Sequence, residues 1–456
     1  MIQSSLDKQI KDKNIVGAIL GIDHQGQKQI LVSGISVPGV LVSPNQHYRI
    51  GGQAILIITT MLLILVDRGL TTLETTIDRY IEGVPNGNKI TLENLCNMTA
   101  GLPDYTDDPS FNQKITEHVF MDVSIDEIIG LVRGLKPIYE PGTGWNYGHL
   151  TNSLLICLAM EKVTKKSFIM LFDELILTPL NLANTKFNQS SNIQQPVMHS
   201  YQVSQCCDAK TSLKLEDATY WSPSWGGYVT YITSAAEDML VIFRTIFTGK
   251  LVSKSSFDRQ FGPKTVGLGI NAVDKYYAMG VAVKNLQLAN NQIVKFKYIN
   301  AGFNGYGGII CYLSDYDLVV HLQVNTIIGT STPPVVDTLL IGFLPEIIKT
   351  ITGSNTDISS HAAISTNAQI NAANTTTNTI TNTTSTTTNT MPNLNTMPNL
   401  NTMPNLNTMP NLNTMPNNKS IEHFGQSTNS FDIAYFVLAV ILIAFLIWAW
   451  TKLKRS

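Results

Sequence analysis

Two short patterns in this 456-residue chain bring together groups that could move a proton. Ser5-Leu6-Asp7-Lys8 sets a hydroxyl and an amine one helical turn apart. At that spacing a lysine can take the proton of an attacking serine. The surrounding residues 3–13 are polar and lysine-rich, as in a surface helix. No buried helix follows them, so the pair has no apolar pocket to work in. Tyr147-Gly148-His149 sets a phenol beside an imidazole. A phenol ordinarily titrates near pH 10, and no serine or cysteine stands close in sequence. Tyr147 therefore reads as an aromatic side chain lining a pocket.

The elements that must position such groups centre on residues 47–69. From Ala54 to Val66 nearly every side chain is apolar, so no single face stands out. A helix apolar all round is buried in protein or in lipid. This one is too short for the roughly 30 Å hydrocarbon layer. Asp67-Arg68-Gly69 ends it with a glycine cap. It reads as the central core helix of a large domain.

Tyr48-Arg49-Ile50-Gly51, followed by that helix and Asp67-Arg68-Gly69-Leu70, resembles the active-site helix of the serine β-lactamase-like hydrolases. That family includes class C β-lactamases, penicillin-binding carboxypeptidases and related esterases. The resemblance implies Ser-x-x-Lys at the head of the helix, serine as nucleophile and lysine as its proton acceptor. Gly52 stands at the serine's position and Ile55 at the lysine's. Neither can do that chemistry.

Other landmarks follow in order. Ile15–Ile22, a turn at His24-Gln25-Gly26-Gln27 and Ile30–Val32 read as a β-hairpin. Residues 75–81 and 90–103 resemble the family's next two landmarks, with Thr91 and Asn94 opening a helix that Gly101 and Pro103 stop. Residues 104–140 should form an inserted helical lobe. Asn97-Met98-Thr99 has the form of a glycosylation sequon, but its place in the resemblance points to packing. Pro141–His149 resembles the second catalytic element, normally Tyr-x-Asn. Tyr147 keeps the tyrosine and His149 replaces the asparagine, with a helix expected over 153–168.

Ser234 and Glu237 have capping-box spacing for a further helix. Residues 277–283, 296–300, 307–313 and 318–324 read as an antiparallel sheet, with an amphipathic helix over 334–347 packed on it. The third catalytic element, Lys-Thr-Gly or His-x-Gly in the family, falls on Asn300-Ala301-Gly302, which keeps only the glycine. Lys264-Thr265-Val266 is a near match elsewhere that lacks the glycine.

The expected fold is therefore α+β, of the β-lactamase/transpeptidase type, over residues 1–350. Losing the nucleophile alone costs about 10⁶-fold in kcat in a well-measured serine protease. The pattern thus implies a catalytically inactive member that binds a small-molecule or peptide ligand or serves as a scaffold. Gln53, Tyr147, His149 and Asn300 are the expected ligand contacts, beside the degenerate positions Gly52, Ile55 and Gly302. A hydrolase with a relocated nucleophile and a structural protein on a stalk are the alternatives.

Nothing points to a cofactor. Five cysteines, Cys206 and Cys207 adjacent, have neither a disulfide framework nor metal-ligand spacing. A net charge of −2 gives no reason to expect nucleic acid as a partner. The N-terminus has no basic region followed by an apolar core, so no secretory signal is expected there.

Residues 351–430 turn abruptly to Asn, Thr and Ser, with TMPNLN units starting at 390, 396, 402 and 408. Proline in every unit and few large apolar groups imply a disordered linker. As a flexible coil it would reach about 50 Å. Within 431–451, Ile433–Trp450 is an uncharged apolar run with Tyr435, Trp448 and Trp450 near its ends. It reads as a single transmembrane helix, so a lipid bilayer is an expected partner. The basic tail 452–456 would by itself favour an external domain. A span this near the C-terminus inserts after synthesis, which favours a cytosolic one.

Overall fold

Gln25 and Gly26 reverse the chain with φ of +52° and +86°. This is the two-residue hairpin geometry that matches strand twist, and it pairs β1 (Gly17–His24) with β2 (Gln27–Val37). The computed structural model describes residues 2–203, 215–287, 293–327 and 335–353. Cys206, Cys207, the low-complexity tract from residue 354, the apolar run within 431–451 and the basic tail lie outside those residues.

The hairpin seeds an eight-stranded sheet. β3 is Val40–Leu41, β4 Lys275–Tyr277, β5 Ala282–Gln287, β6 Ile293–Phe303, β7 Tyr306–Leu313 and β8 Leu318–Val324. The spatial order is β3-β2-β1-β8-β7-β6-β5-β4, and every neighbouring pair is antiparallel. Side chains alternate between two apolar layers, as a pleated strand requires. Ala18, Leu20 and Ile22 belong to one layer and Ile19 to the other.

Helix α1 (Ile2–Asp12) and helix α5 (Val335–Thr352) cover the outer face. Residues 3–12 do lie in a surface helix with its polar side exposed, and Ile2, Leu6 and Ile10 pack its other side against the sheet. The last helix runs five residues beyond its expected end, with Pro345 inside it. The inner face packs on α2 (Ala54–Asp67), where every side chain from Ala54 to Leu65 is buried. Burying each Leu or Ile there contributes about 1.5–3 kcal/mol, which is why a helix with no polar face sits at the centre. Its end is a Schellman turn: Leu70 N–H donates to Leu65 O and Gly69 N–H to Val66 O, with Gly69 at φ +71°. Asp67 accepts from Ser253 and Ser256, which ties that end to the following lobe.

Several expected boundaries move. The helix opening at Thr91 has its capping box, Thr91 and Asn94 each bonding the other's backbone N–H. The stretch 277–283 is broken by a turn in which Gly280 lies at φ +81° and presses on α2; a Cβ there would sit 2.9 Å from Thr59 Oγ1. Helix α3 (His149–Thr164) begins four residues earlier than expected. Helix α4 (Ala236–Phe247) has no side-chain cap. Ser234 ends a short strand instead, and its hydroxyl pairs with Thr185. Among the described residues, no helix is long and apolar enough to cross a membrane.

Candidate functional site

A single 3₁₀ turn, Gly51–Gln53, leads into α2 and meets the exposed edge at the end of β6. Gly51 has φ +52°, a conformation that L side chains resist. Gly52 does not. A Cβ on Gly52 would lie 3.6 Å from Ala301 Cβ, 3.7 Å from Asn300 O and 3.9 Å from Ile55 Cδ1, all ordinary contacts. Packing therefore leaves room for a side chain at 52, and the missing hydroxyl is a property of the sequence rather than of crowding. Ile55 is completely buried one turn on.

The second group comes from the turn before α3. His149 is the first residue of that helix, and its ring stacks on Tyr147 with centroids 4.7 Å apart and planes 18° from parallel. Tyr147 in turn packs on Trp145 and Tyr277. Its phenol is pushed up to about 12, by burial first and by the negative charge of Asp104 second, so it stays protonated across the physiological range. His149 Nδ1 lies 3.5 Å from Asp104 Oδ2. The two make no hydrogen bond, and Nδ1 has no partner among the described residues, so Asp104 acts on the ring through its charge rather than by fixing its orientation. That nearly buried carboxylate accepts from the N–H groups of Leu150 and Thr106 and from the Thr106 hydroxyl instead. Asp104 was not singled out from the sequence. Its signal was available: an Asp two residues before a threonine suits a local side-chain turn.

These groups meet at a cleft of about 460 Å³. Gly52, His149 and Gly302 line it; Gln53, Tyr147 and Asn300, expected as ligand contacts, do not. Asn300 is a correction with a simple cause. Strand alternation turns its amide to the opposite face, where it donates to both Asp337 oxygens at 2.9 and 3.0 Å. Ala301 and Phe303 face Gly51 and Gly52 in its place. Gln53 is fully buried against Gly308, pointing under the sheet rather than into the cleft.

The remaining walls were not foreseen. Trp221, Trp225 and Phe303 supply aromatic surface, and Glu117 and Glu216 supply carboxylates. The hydroxyls on the described lining are those of Thr106, Thr116 and Thr230, which donate to Asp104 Oδ1, Asn112 O and Pro223 O. Ser5 and Lys8 sit on α1, on the far face of the sheet. Among the described residues, no group of three His, Cys, Asp or Glu side chains is placed to hold a metal.

Beneath the cleft, Tyr48 from the strand entering the 3₁₀ turn bonds His321 Nε2 at 2.8 Å. Burial holds the imidazole neutral, down to about 3, and pushes the phenol well above its usual range. Arg49 is also buried and donates to the carbonyls of Thr230 and Ser191. Burial lowers its guanidinium to about 10.

Comparison with known proteins agrees with this geometry. The family model described as Beta-lactamase matches residues 2–332. Penicillin-binding protein 4* of Bacillus subtilis (strain 168) is 24% identical over 271 residues, 58% of this chain and 57% of that protein. The chain thus aligns with little more than half the length of that relative. Among solved structures, the D-amino acid amidase of Ochrobactrum anthropi SV3 superposes with a TM-score of 0.65 at 18% identity, over 76% of this chain and 98% of that one. The penicillin-binding protein of Bacillus halodurans gives a TM-score of 0.60 at 15% identity, over 76% and 98%. At such identities the likeness establishes the fold.

Proposed function

Because the chain belongs to the Beta-lactamase family, we propose that it is a member whose cleft binds a small-molecule or peptide ligand without cleaving it. One observation carries this reading. At the head of α2, Gly52 and Ile55 occupy the positions where the family resemblance puts the nucleophile and its lysine, and Gly52 has room for a side chain that the sequence does not supply. Thr116 and Thr230 donate their hydroxyl protons to backbone carbonyls, which cannot serve as a base, and this supports the same reading. In the wider proposal the domain is held at a membrane by Ile433–Trp450 through the Asn/Thr-rich linker, with the domain in the cytosol. The mode would be a tethered binding module.

A second reading rests on the His149–Asp104 pair. An imidazole backed by a carboxylate and reaching the cleft is suited to activate water, which keeps open hydrolysis without a covalent intermediate.

The test is to incubate the full chain, in detergent, with benzylpenicillin and with D-phenylalaninamide. Product formation and melting temperature are then measured together. Binding without cleavage raises the melting temperature by mass action and yields no product above the buffer rate. Product that forms with the native chain and disappears in His149→Ala supports the water-activating reading and overturns the first.

A further inference from the structure

Among the described residues, the lining of the cleft carries the reverse of the charge that the family resemblance implies. That resemblance puts a lysine or histidine on the third element, beside the substrate. Here Asn300 stands in that place and is turned away to Asp337. No lysine or arginine stands among the described lining residues, whereas Glu117 and Glu216 both do. Asp104 lies just behind His149 and adds a third carboxylate close to the lining. The carboxyl of Asp107 is held above its usual range by burial and then by Asp104.

The apolar part of the lining is aromatic. Trp225 and Phe303 stand with ring centroids 5.0 Å apart and planes 32° from parallel, and Trp221 lies on the same wall. Aromatic faces and carboxylates share one preference: both attract a cation, the rings through their quadrupole and the carboxylates through their charge. Both also discriminate against a carboxylate-bearing ligand, the kind a cationic third element would hold. The cleft, about 460 Å³, is large enough for a ring and a short side chain.

We infer that the cleft takes a ligand carrying a protonated amine on an aromatic or apolar body, the body against Trp221, Trp225 and Phe303 and the ammonium toward Glu117 and Glu216. This inference rests on the binding reading above and adds the charge class of the ligand.

The experiment uses three probes with one body and different charge: 3-phenylpropylamine, 3-phenylpropanol and 3-phenylpropanoate. Their dissociation constants for the full chain are measured by calorimetry at pH 7.5 and fixed ionic strength. The expected order is amine tightest, then alcohol, then carboxylate, with at least tenfold between the first and last. Glu117→Gln and Glu216→Gln should each weaken the amine severalfold and leave the alcohol unchanged. Glu117 is exposed on its helix, so its exchange does not threaten the fold. Alcohol or carboxylate binding as tight as the amine overturns the charge assignment while leaving a binding cleft in place. No measurable heat from any of the three, at concentrations to 10 mM (about 100-fold above a 100 μM dissociation constant), overturns the binding reading and the inference together.

Discussion

Restoring the two missing groups tests the register on which the functional reading stands. The perturbation is Gly52→Ser alone and then with Ile55→Lys. The serine Cβ would meet nothing closer than 3.6 Å, and Gly52 is not among the glycines with positive φ. Losing glycine's freedom in the unfolded chain stabilises such a site by about 0.4–1 kcal/mol. Gly52→Ser should therefore leave the melting temperature unchanged or raise it slightly. Ile55 is fully buried. Its removal forfeits about 1.5–3 kcal/mol of apolar burial, and desolvating an ammonium there costs several kcal/mol more unless it sheds its proton. At about 2 °C per kcal/mol for a domain of this size, the double variant should melt on the order of 10 °C lower. A lysine so destabilised as a cation is also the base a nearby serine needs. Intact mass after exposure to p-nitrophenyl acetate should show no adduct on residues 1–350 for Gly52→Ser and a single acyl adduct for the double variant. The reasoning fails if Gly52→Ser costs more than about 2 kcal/mol, or if the folded double variant acylates no faster than the single one.

His321 gives the domain an acid-side weakness. Its folded value is about 3 against an ordinary 6.5, so the unfolded chain binds the extra proton, and stability present above pH 6.5 is lost as pH falls toward 3. Between those limits the loss is about 1.4 kcal/mol per pH unit; in urea unfolding, His321→Gln should flatten that slope, and an unchanged slope refutes the assignment. Asn97 is 5% exposed and accepts from the Thr99 hydroxyl at 2.6 Å. Peptide mapping of protein made in a glycosylating host should find Asn97 unmodified, and Asn97→Gln should destabilise by about 1–3 kcal/mol. Gly101 lies at φ +78°, and a Cβ there would approach Tyr139 O to 2.2 Å. Gly101→Ala should cost at least about 3 kcal/mol, read as a lowered denaturation midpoint.

The fold was legible where local pattern and tertiary role coincide. The apolar run 54–66 had one possible destination, and α2 is there. Alternating strands and the Gln25-Gly26 turn fixed the hairpin. The site was less legible because its side chains answer to partners far away in sequence. Helix α3 begins at His149 because Asp104, some 46 residues earlier, accepts the Leu150 N–H. Asn300 sits in the expected element, but the pleat of β6 decides which face its amide takes, and a run of mixed residues does not disclose that. Gln53 follows Gly52 in sequence yet points under the sheet toward Gly308. Ser234 and Glu237 have the spacing of a cap, but Thr185 takes the serine hydroxyl. The aromatic wall comes from a turn around Pro223 and from Phe303, which no motif marks.

The most direct test is the intact mass of the native chain. Purified protein is held with excess p-nitrophenyl acetate and, separately, with benzylpenicillin, then digested and mapped. An inert cleft predicts that residues 1–350 acquire no adduct at the cleft hydroxyls or at His149 within the time a family hydrolase would need. A stoichiometric acyl group on any serine, threonine or cysteine of that region, formed faster than in the unfolded chain, contradicts it.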